Sequence, residues 1–229
     1  MKNEMIKSVD KSGEFSEPFF SVTLTTYNRA DLLKRALDSL MAQTEKNWEA
    51  IIIDDGSTDD TRSLIDPYLR NGSMIRYVYQ KNAGYAMAKN TGIFLSKGKF
   101  ITFLDSDDEY LPNHLESRKA ILMNYPLTDF LYGGVIVTGN QFVPDRFNYD
   151  KMIPLSECVI GGTFFIRREV AVTLNGFADT PMGSDADFFE RVNKTKAVIR
   201  ETDIPTYLYH RENENSVTNN LMRKENFLQ

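Results

Sequence analysis

Cysteine, histidine and tryptophan are scarce in this chain of 229 residues, with one, two and one copies respectively. A single thiol, Cys158, excludes an internal disulfide framework and a thiolate zinc cage. Beside Val159-Ile160 it reads as a small buried hydrophobe. No run of about 18 apolar residues occurs, so no segment reads as a bilayer span. No basic-then-apolar leader opens the chain, and the cytoplasm is the expected location. An excess of positive charge is also missing. Lys and Arg number 27 against 32 Asp and Glu, a net charge of -5, which argues against a nucleic-acid partner.

What is present is ordinary for a soluble globular protein: 41% hydrophobic and 26% charged residues. A chain of this length buries roughly 70% of its unfolded surface without staples. Residues 1–18 are mixed polar and charged without a period and read as a loose tail. From residue 19 the pattern alternates. Residues 20–25 are rich in β-branched and apolar types, as in a strand. Leu33, Ala36, Leu37, Leu40 and Met41 then follow helical spacing. Residues 48–53 form a nearly all-apolar strand, as expected when both faces are covered. A helix over 58–69, capped by Ser57 or Thr58, leads to a strand over 74–79. Asn82-Ala83-Gly84 opens a small-residue helix to about residue 96, and residues 99–104 form a fourth strand.

This alternation predicts an α/β fold with a mostly parallel sheet. Beyond Pro112 a helix is expected over His114–Asn124. Strands are expected over 132–138 and 161–166, and short helices over 168–174 and 187–193. These later strands would join the same sheet in mixed directions.

The carboxylates are the informative feature. Asp54, Asp55, Asp59 and Asp60 follow the second strand; Asp105, Asp107, Asp108 and Glu109 follow the fourth. Carboxyl ends of parallel strands are where open α/β sheets bind ligands. So many negative charges along one rim need compensating cations or donors. A divalent ion bridging to a phosphorylated substrate would supply one, since Mg²⁺ is held by one or two carboxylates plus phosphates. Asp59 and Asp60 also read as plain turn and cap residues. His114 reads as a solvated or capping residue near its helix start.

Six stretches together resemble the family 2 glycosyltransferases, inverting enzymes with the nucleotide-diphospho-sugar transferase (GT-A) fold. They are Ser21-Val22-Thr23-Leu24-Thr25-Thr26-Tyr27-Asn28-Arg29, Ile52-Ile53-Asp54-Asp55-Gly56-Ser57-Thr58-Asp59, and Asn82-Ala83-Gly84 with Ala88-Lys89-Asn90-Thr91-Gly92. The others are the Asp-X-Asp signature in Phe103-Leu104-Asp105-Ser106-Asp107-Asp108, then Gly161-Gly162-Thr163 through Arg167-Arg168, and Ser184-Asp185-Ala186-Asp187-Phe188. An acidic triplet alone carries little, but six stretches in order over residues 19–218 carry much.

The resemblance implies a catalytic domain over 19–229, with a nucleotide-binding half (19–110) and an acceptor-binding half (111–229). It implies a nucleoside-diphosphate sugar donor, a UDP-sugar by preference, and a saccharide or lipid-linked saccharide acceptor, the latter bringing peripheral membrane contact. Thr25, where the family usually has proline, and Tyr27 would line the base pocket. Asp55 would accept the uracil imide N–H. Lys89, an arginine in many relatives, would approach the diphosphate as a point charge. Asp107 would hold Mn²⁺ or Mg²⁺, with Asp105 on the ribose or the metal. Asp185 would be the general base; Ser184 stands where an acidic residue is usual. His210 and Arg211 could approach the diphosphate, but relatives place a histidine nearer the serine of 215–218, where this chain has Asn213.

Three other readings fit less well. A dehalogenase-type phosphatase wants its acidic motif after the first strand and a small hydroxyl or β-branched residue at the position of Glu109. A sugar nucleotidyltransferase would open on a Gly-rich loop, which residues 25–29 lack. A binding-only relative would have no use for Asp55, Asp107 and Asp185 together.

Overall fold

The computed structural model describes residues 17–71 and 74–212. In chain order the strands and helices are β1 (Phe20–Thr26), α1 (Ala30–Met41), β2 (Trp48–Asp54), α2 (Thr61–Asn71), β3 (Ile75–Tyr79), α3 (Tyr85–Leu95), β4 (Phe100–Asp105), β5 (Glu109–Tyr110) and α4 (His114–Asn124). Then come β6 (Phe130–Tyr132), β7 (Val135–Gly139), β8 (Phe142–Asp145), β9 (Asn148–Pro154), β10 (Phe165–Arg167), α5 (Arg168–Thr173), α6 (Ser184–Asn193), β11 (Ile199–Glu201) and β12 (Tyr207–Arg211).

The central sheet has seven strands in the order β11-β6-β10-β4-β1-β2-β3. β4, β1, β2 and β3 are parallel, and only β10 runs against its neighbours. This is the expected α/β class with a mostly parallel sheet. Both faces are covered, which explains why every residue of β2 is buried. Period-two alternation divides β4 between two cores. Phe100 and Leu104 pack with Leu33, Leu37 and Leu40 of α1 and Leu115 of α4. Ile101 and Phe103 pack with Ile93 of α3, Ala171 of α5 and Phe188 of α6.

The first half follows the sequence pattern to within a few residues. α2 starts later than expected because Asp59 and Asp60 are spent on the turn. Asp59 Oδ1 accepts from the Thr61 N–H and hydroxyl, and its Oδ2 accepts from the Ala30 N–H at 3.1 Å.

The second half departs more. The strand expected over 132–138 is broken at Gly133 and Gly134, both with positive φ. A side chain at Gly134 would sit 2.0 Å from the Ile204 carbonyl oxygen. The chain leaves the main sheet there, and β7 joins β12 and β5 in a separate three-stranded sheet, while β8 and β9 form their own pair. Residues 161–163 form a 3₁₀ turn before β10. His114 corrects the expectation of a solvated residue. It is fully buried, stacked on Tyr110 at 4.0 Å between ring centroids, with Nδ1 2.8 Å from Thr206 Oγ1.

Candidate active site

Strand register levels the carboxyl ends that carry the acidic residues. Thr25 of β1 stands opposite Ile53 of β2 and Asp105 of β4, and Thr26 stands opposite Asp54. The Asp54 carboxylate is internal, accepting from the Ser57 N–H at 2.8 Å and the Tyr77 hydroxyl at 2.7 Å. Asp55, one residue on, is also buried but reaches across to the loop before α3. Its Oδ1 accepts from Gln80 Nε2 and the Ala83 N–H, its Oδ2 from the Gly84 N–H at 2.9 Å. A carboxylate oxygen accepts two hydrogen bonds, so Oδ2 retains capacity for one further donor. Thr25 is half-buried beside this corner, and the Tyr27 ring is 48% exposed.

The loop after β4 is held by cations. Asp107 Oδ2 lies 2.8 Å from Arg29 Nη1, and the Asp107 carbonyl accepts from Arg35. Asp105 Oδ1 forms an ion pair with Lys89 Nζ at 3.1 Å and, among the described residues, has no further hydrogen-bond donor. Burial raises Asp107 above the usual carboxylate range; the neighbouring Asp105 adds to this and Arg29 opposes it. Asp108 is pushed well up by burial and by Asp107 and Asp105. Its carboxylate is committed to the scaffold, accepting from the Tyr207 hydroxyl at 2.6 Å and the His210 N–H at 2.9 Å. Both nitrogens of the His210 ring are engaged, Nε2 with Glu109 at 2.8 Å and Nδ1 with Thr138 at 3.2 Å. Arg211 is buried at the end of β12, and its Nη1 has no hydrogen-bond partner among the described residues. Asn213 and residues 215–218 lie outside the described residues.

Lys89 is fully buried, with Nζ 4.4 Å from the Tyr85 ring centroid and 3.0 Å from the Tyr85 hydroxyl. Burial would lower its ionisation, but Asp105, Tyr85 and Asp185 outweigh this and hold it well above the ordinary lysine range. The Tyr85 hydroxyl then donates to Asp185 Oδ1 at 3.0 Å, and burial, followed by the Asp185 charge, pushes the phenol well up. Asp185 sits in the first turn of α6, where the helix dipole favours a carboxylate. Its Oδ2 accepts from the Gly161 N–H at 3.1 Å. Gly161 and Gly162 are required by close approach, since added Cβ atoms would fall 2.4 Å from Asp185 Cγ and 2.2 Å from the Tyr207 hydroxyl.

The fold thus brings Asp105, Lys89 and Asp185 into one array connected through Tyr85, with Asp55 just after β2 and Asp107 just after β4, the strands on either side of β1. Sequence reasoning assigned no role to Arg29, Arg35 or Tyr85. Tyr85 precedes Lys89 by four residues on one helix face, a spacing that could have paired them. Nothing local marks Arg29 and Arg35 as partners of the distant loop at Asp107.

Asp107 and Asp105 fit a divalent ion chemically: two hard carboxylate donors at the end of β4 and in the loop after it, their negative charge only partly met by Arg29 and Lys89. Among the described residues no three His, Cys, Asp or Glu side chains form a ready cage.

The chain matches the family model described as Glycosyl transferase family 2 over residues 21–172. It is 32% identical over 148 residues to the Escherichia coli UDP-Glc:alpha-D-GlcNAc-diphosphoundecaprenol beta-1,3-glucosyltransferase WfgD, covering 62% of this chain and 56% of that protein. The S. aureus TarS 1–349 structure in complex with UDP-GlcNAc superposes with a TM-score of 0.73 at 20% identity, covering 86% of this chain and 60% of that one. The Pyrobaculum calidifontis mannosyltransferase PcManGT, in complex with GDP-Man and Mn²⁺, gives 0.66 at 19% identity over 90% of this chain and 60% of that one. These two structures share the GT-A arrangement of the sheet. The chain spans only part of the length of its curated relatives: 56% of WfgD, and 16% of an uncharacterized glycosyltransferase of Rickettsia bellii to which it is 39% identical over 116 residues, or 51% of this chain.

Proposed function

We propose that this chain, which belongs to glycosyl transferase family 2, transfers a sugar from a nucleoside-diphosphate donor to an acceptor hydroxyl with inversion. One observation carries the reading. Asp55 directly follows β2 and Asp105 ends β4, the two parallel strands that flank β1, with Asp107 in the loop just beyond, and Asp185 is linked to Asp105 through only Tyr85 and Lys89.

In this reading the half over residues 19–110 takes the nucleotide. Asp55 accepts the uracil imide N–H with the capacity left on Oδ2, the Tyr27 ring covers the base, and Thr25 lines the pocket. That acceptor favours UDP over nucleotides of adenine or cytosine. Mn²⁺ or Mg²⁺ would be held by Asp107 with Asp105, and when bound it neutralises charge on the departing diphosphate, so that no general acid is required. Lys89 contributes positive charge from below, through Asp105.

The half over 111–229 takes the acceptor. Asp185 accepts the acceptor's hydroxyl proton while that oxygen attacks the anomeric carbon from the face opposite the diphosphate. The carbon–oxygen bond to the diphosphate breaks with its electron pair leaving on the nucleotide, and the single displacement inverts the configuration. WfgD, by its name, acts on a diphosphoundecaprenol-linked sugar. That supports a saccharide or lipid-linked saccharide acceptor in glycan synthesis, met at the cytoplasmic face of a membrane by peripheral contact. Among the described residues no helix is long and apolar enough to cross a membrane.

A thermal-shift screen of nucleoside-diphosphate sugars with Mn²⁺ tests the reading. Ligand at 100 times its Kd stabilises by about 2.7 kcal/mol, a rise of roughly 5–10 °C for a chain of this size. The expected result is a metal-dependent shift with uridine donors. No shift with any nucleoside-diphosphate sugar would overturn the proposal.

A further inference from the structure

Tyr85 opens α3 immediately after Gly84, whose N–H is bound by Asp55. Its hydroxyl lies between Lys89 Nζ and Asp185 Oδ1, 3.0 Å from each. Hydrogen-bond chemistry fixes the direction of this chain. A lysine ammonium only donates, so its hydrogen must point at the phenol oxygen. The phenol's single hydrogen is then left for Asp185. Lys89 cannot swing away, because it is boxed by the rings of Tyr85, Phe103 and Phe177 and held at 3.1 Å by Asp105.

We propose that Tyr85 is a positioning residue for Asp185: its hydroxyl, aimed by the buried Lys89 ammonium, holds the carboxylate in the orientation from which it accepts the acceptor's proton. Tyr85 holds Oδ1 and the Gly161 N–H holds Oδ2. With one donor on each oxygen the carboxylate plane is set, and each oxygen keeps capacity for the incoming hydroxyl. The inference rests on the transferase reading above.

Tyr85→Phe removes one oxygen and keeps the ring that faces Lys89. It is expected to lower kcat for sugar transfer roughly tenfold to a hundredfold, the scale of a misplaced catalytic group. The donor KM and metal-dependent nucleotide binding stay within twofold. A residue acting through Asp185 also predicts non-additivity. Tyr85→Phe combined with Asp185→Asn should be no slower than Asp185→Asn alone. A merely structural tyrosine would disturb nucleotide binding as well, and its defect would multiply with that of Asp185→Asn. Either of those results, or a wild-type kcat in Tyr85→Phe, overturns the positioning role. A wild-type chain that binds no nucleotide and transfers no sugar would sink the transferase reading itself, and this inference with it.

Discussion

Gly161→Ala tests the placement of Asp185 from the side opposite Tyr85. An alanine Cβ at this position would lie 2.4 Å from Asp185 Cγ and 2.5 Å from both carboxylate oxygens, about 1 Å inside ordinary contact at 3.4 Å. The Gly161 φ is not in the left-handed region, so alanine can adopt the backbone without strain. The overlap must therefore be relieved by the movable partner, the end of the Asp185 side chain. A displacement of about 1 Å at a catalytic group costs on the order of 100-fold in rate. It also breaks the contacts to the Gly161 N–H and the Tyr85 hydroxyl. The fold itself should hold, with Tm lowered by no more than a few degrees. The assay is steady-state sugar transfer, with nucleotide binding in Mn²⁺ measured by calorimetry on the same preparation. The expected pattern is a kcat reduced about 100-fold with nucleotide affinity unchanged. A kcat within threefold of wild type would refute the reasoning, because Asp185 could not then be both displaced and essential.

Asp185→Asn should lower turnover roughly 100- to 10,000-fold while leaving donor binding intact, as loss of a general base does; near-normal turnover removes Asp185 from the mechanism. Lys89→Met leaves Asp105 without its closest cation and should destabilise the fold by about 3 kcal/mol, the low end for breaking a buried pair because Asp105 is partly exposed. Urea unfolding measures this, and a loss under 1 kcal/mol would refute it. Burial, with Arg118 adding, holds His114 well below its ordinary value of 6.5. The folded state thus keeps His114 neutral where the unfolded chain binds a proton, and its stability contribution is full above pH 6.5 and lost as pH falls toward the folded value. From pH 7.5 to 5.5 this costs about 1.4 kcal/mol. His114→Gln should lack that component of the pH dependence, and an identical dependence in both proteins would refute the assignment.

The legible part of the fold is the part built from local pattern. The stripe at Leu33, Ala36, Leu37 and Leu40 is the buried face of α1, and the apolar run of β2 is buried throughout. Where chain direction depended on remote contacts, the pattern failed. The apolar residues around 132–138 read as one strand, but Gly133 and Gly134 divide them between two sheets because the Ile204 carbonyl approaches the backbone there. His114 carried no sign of burial in its neighbours along the chain. Its environment comes from Tyr110, Phe165 and Tyr207.

By its sequence alone this protein was committed to an alternating α/β chain with carboxylates after the second and fourth strands, because strand and helix periods and strand-end composition are local properties. The ordered stretches around Asp55, Asp107 and Asp185 also pointed to the family. Only the tertiary structure decided how those charges are met. Arg29 reaches Asp107, Lys89 reaches Asp105, and Tyr85 reaches Asp185 across 100 residues of sequence. Electrostatic compensation depends on distance in space, and that distance exists only once the sheet has set its strand ends level and the helices have packed on both faces.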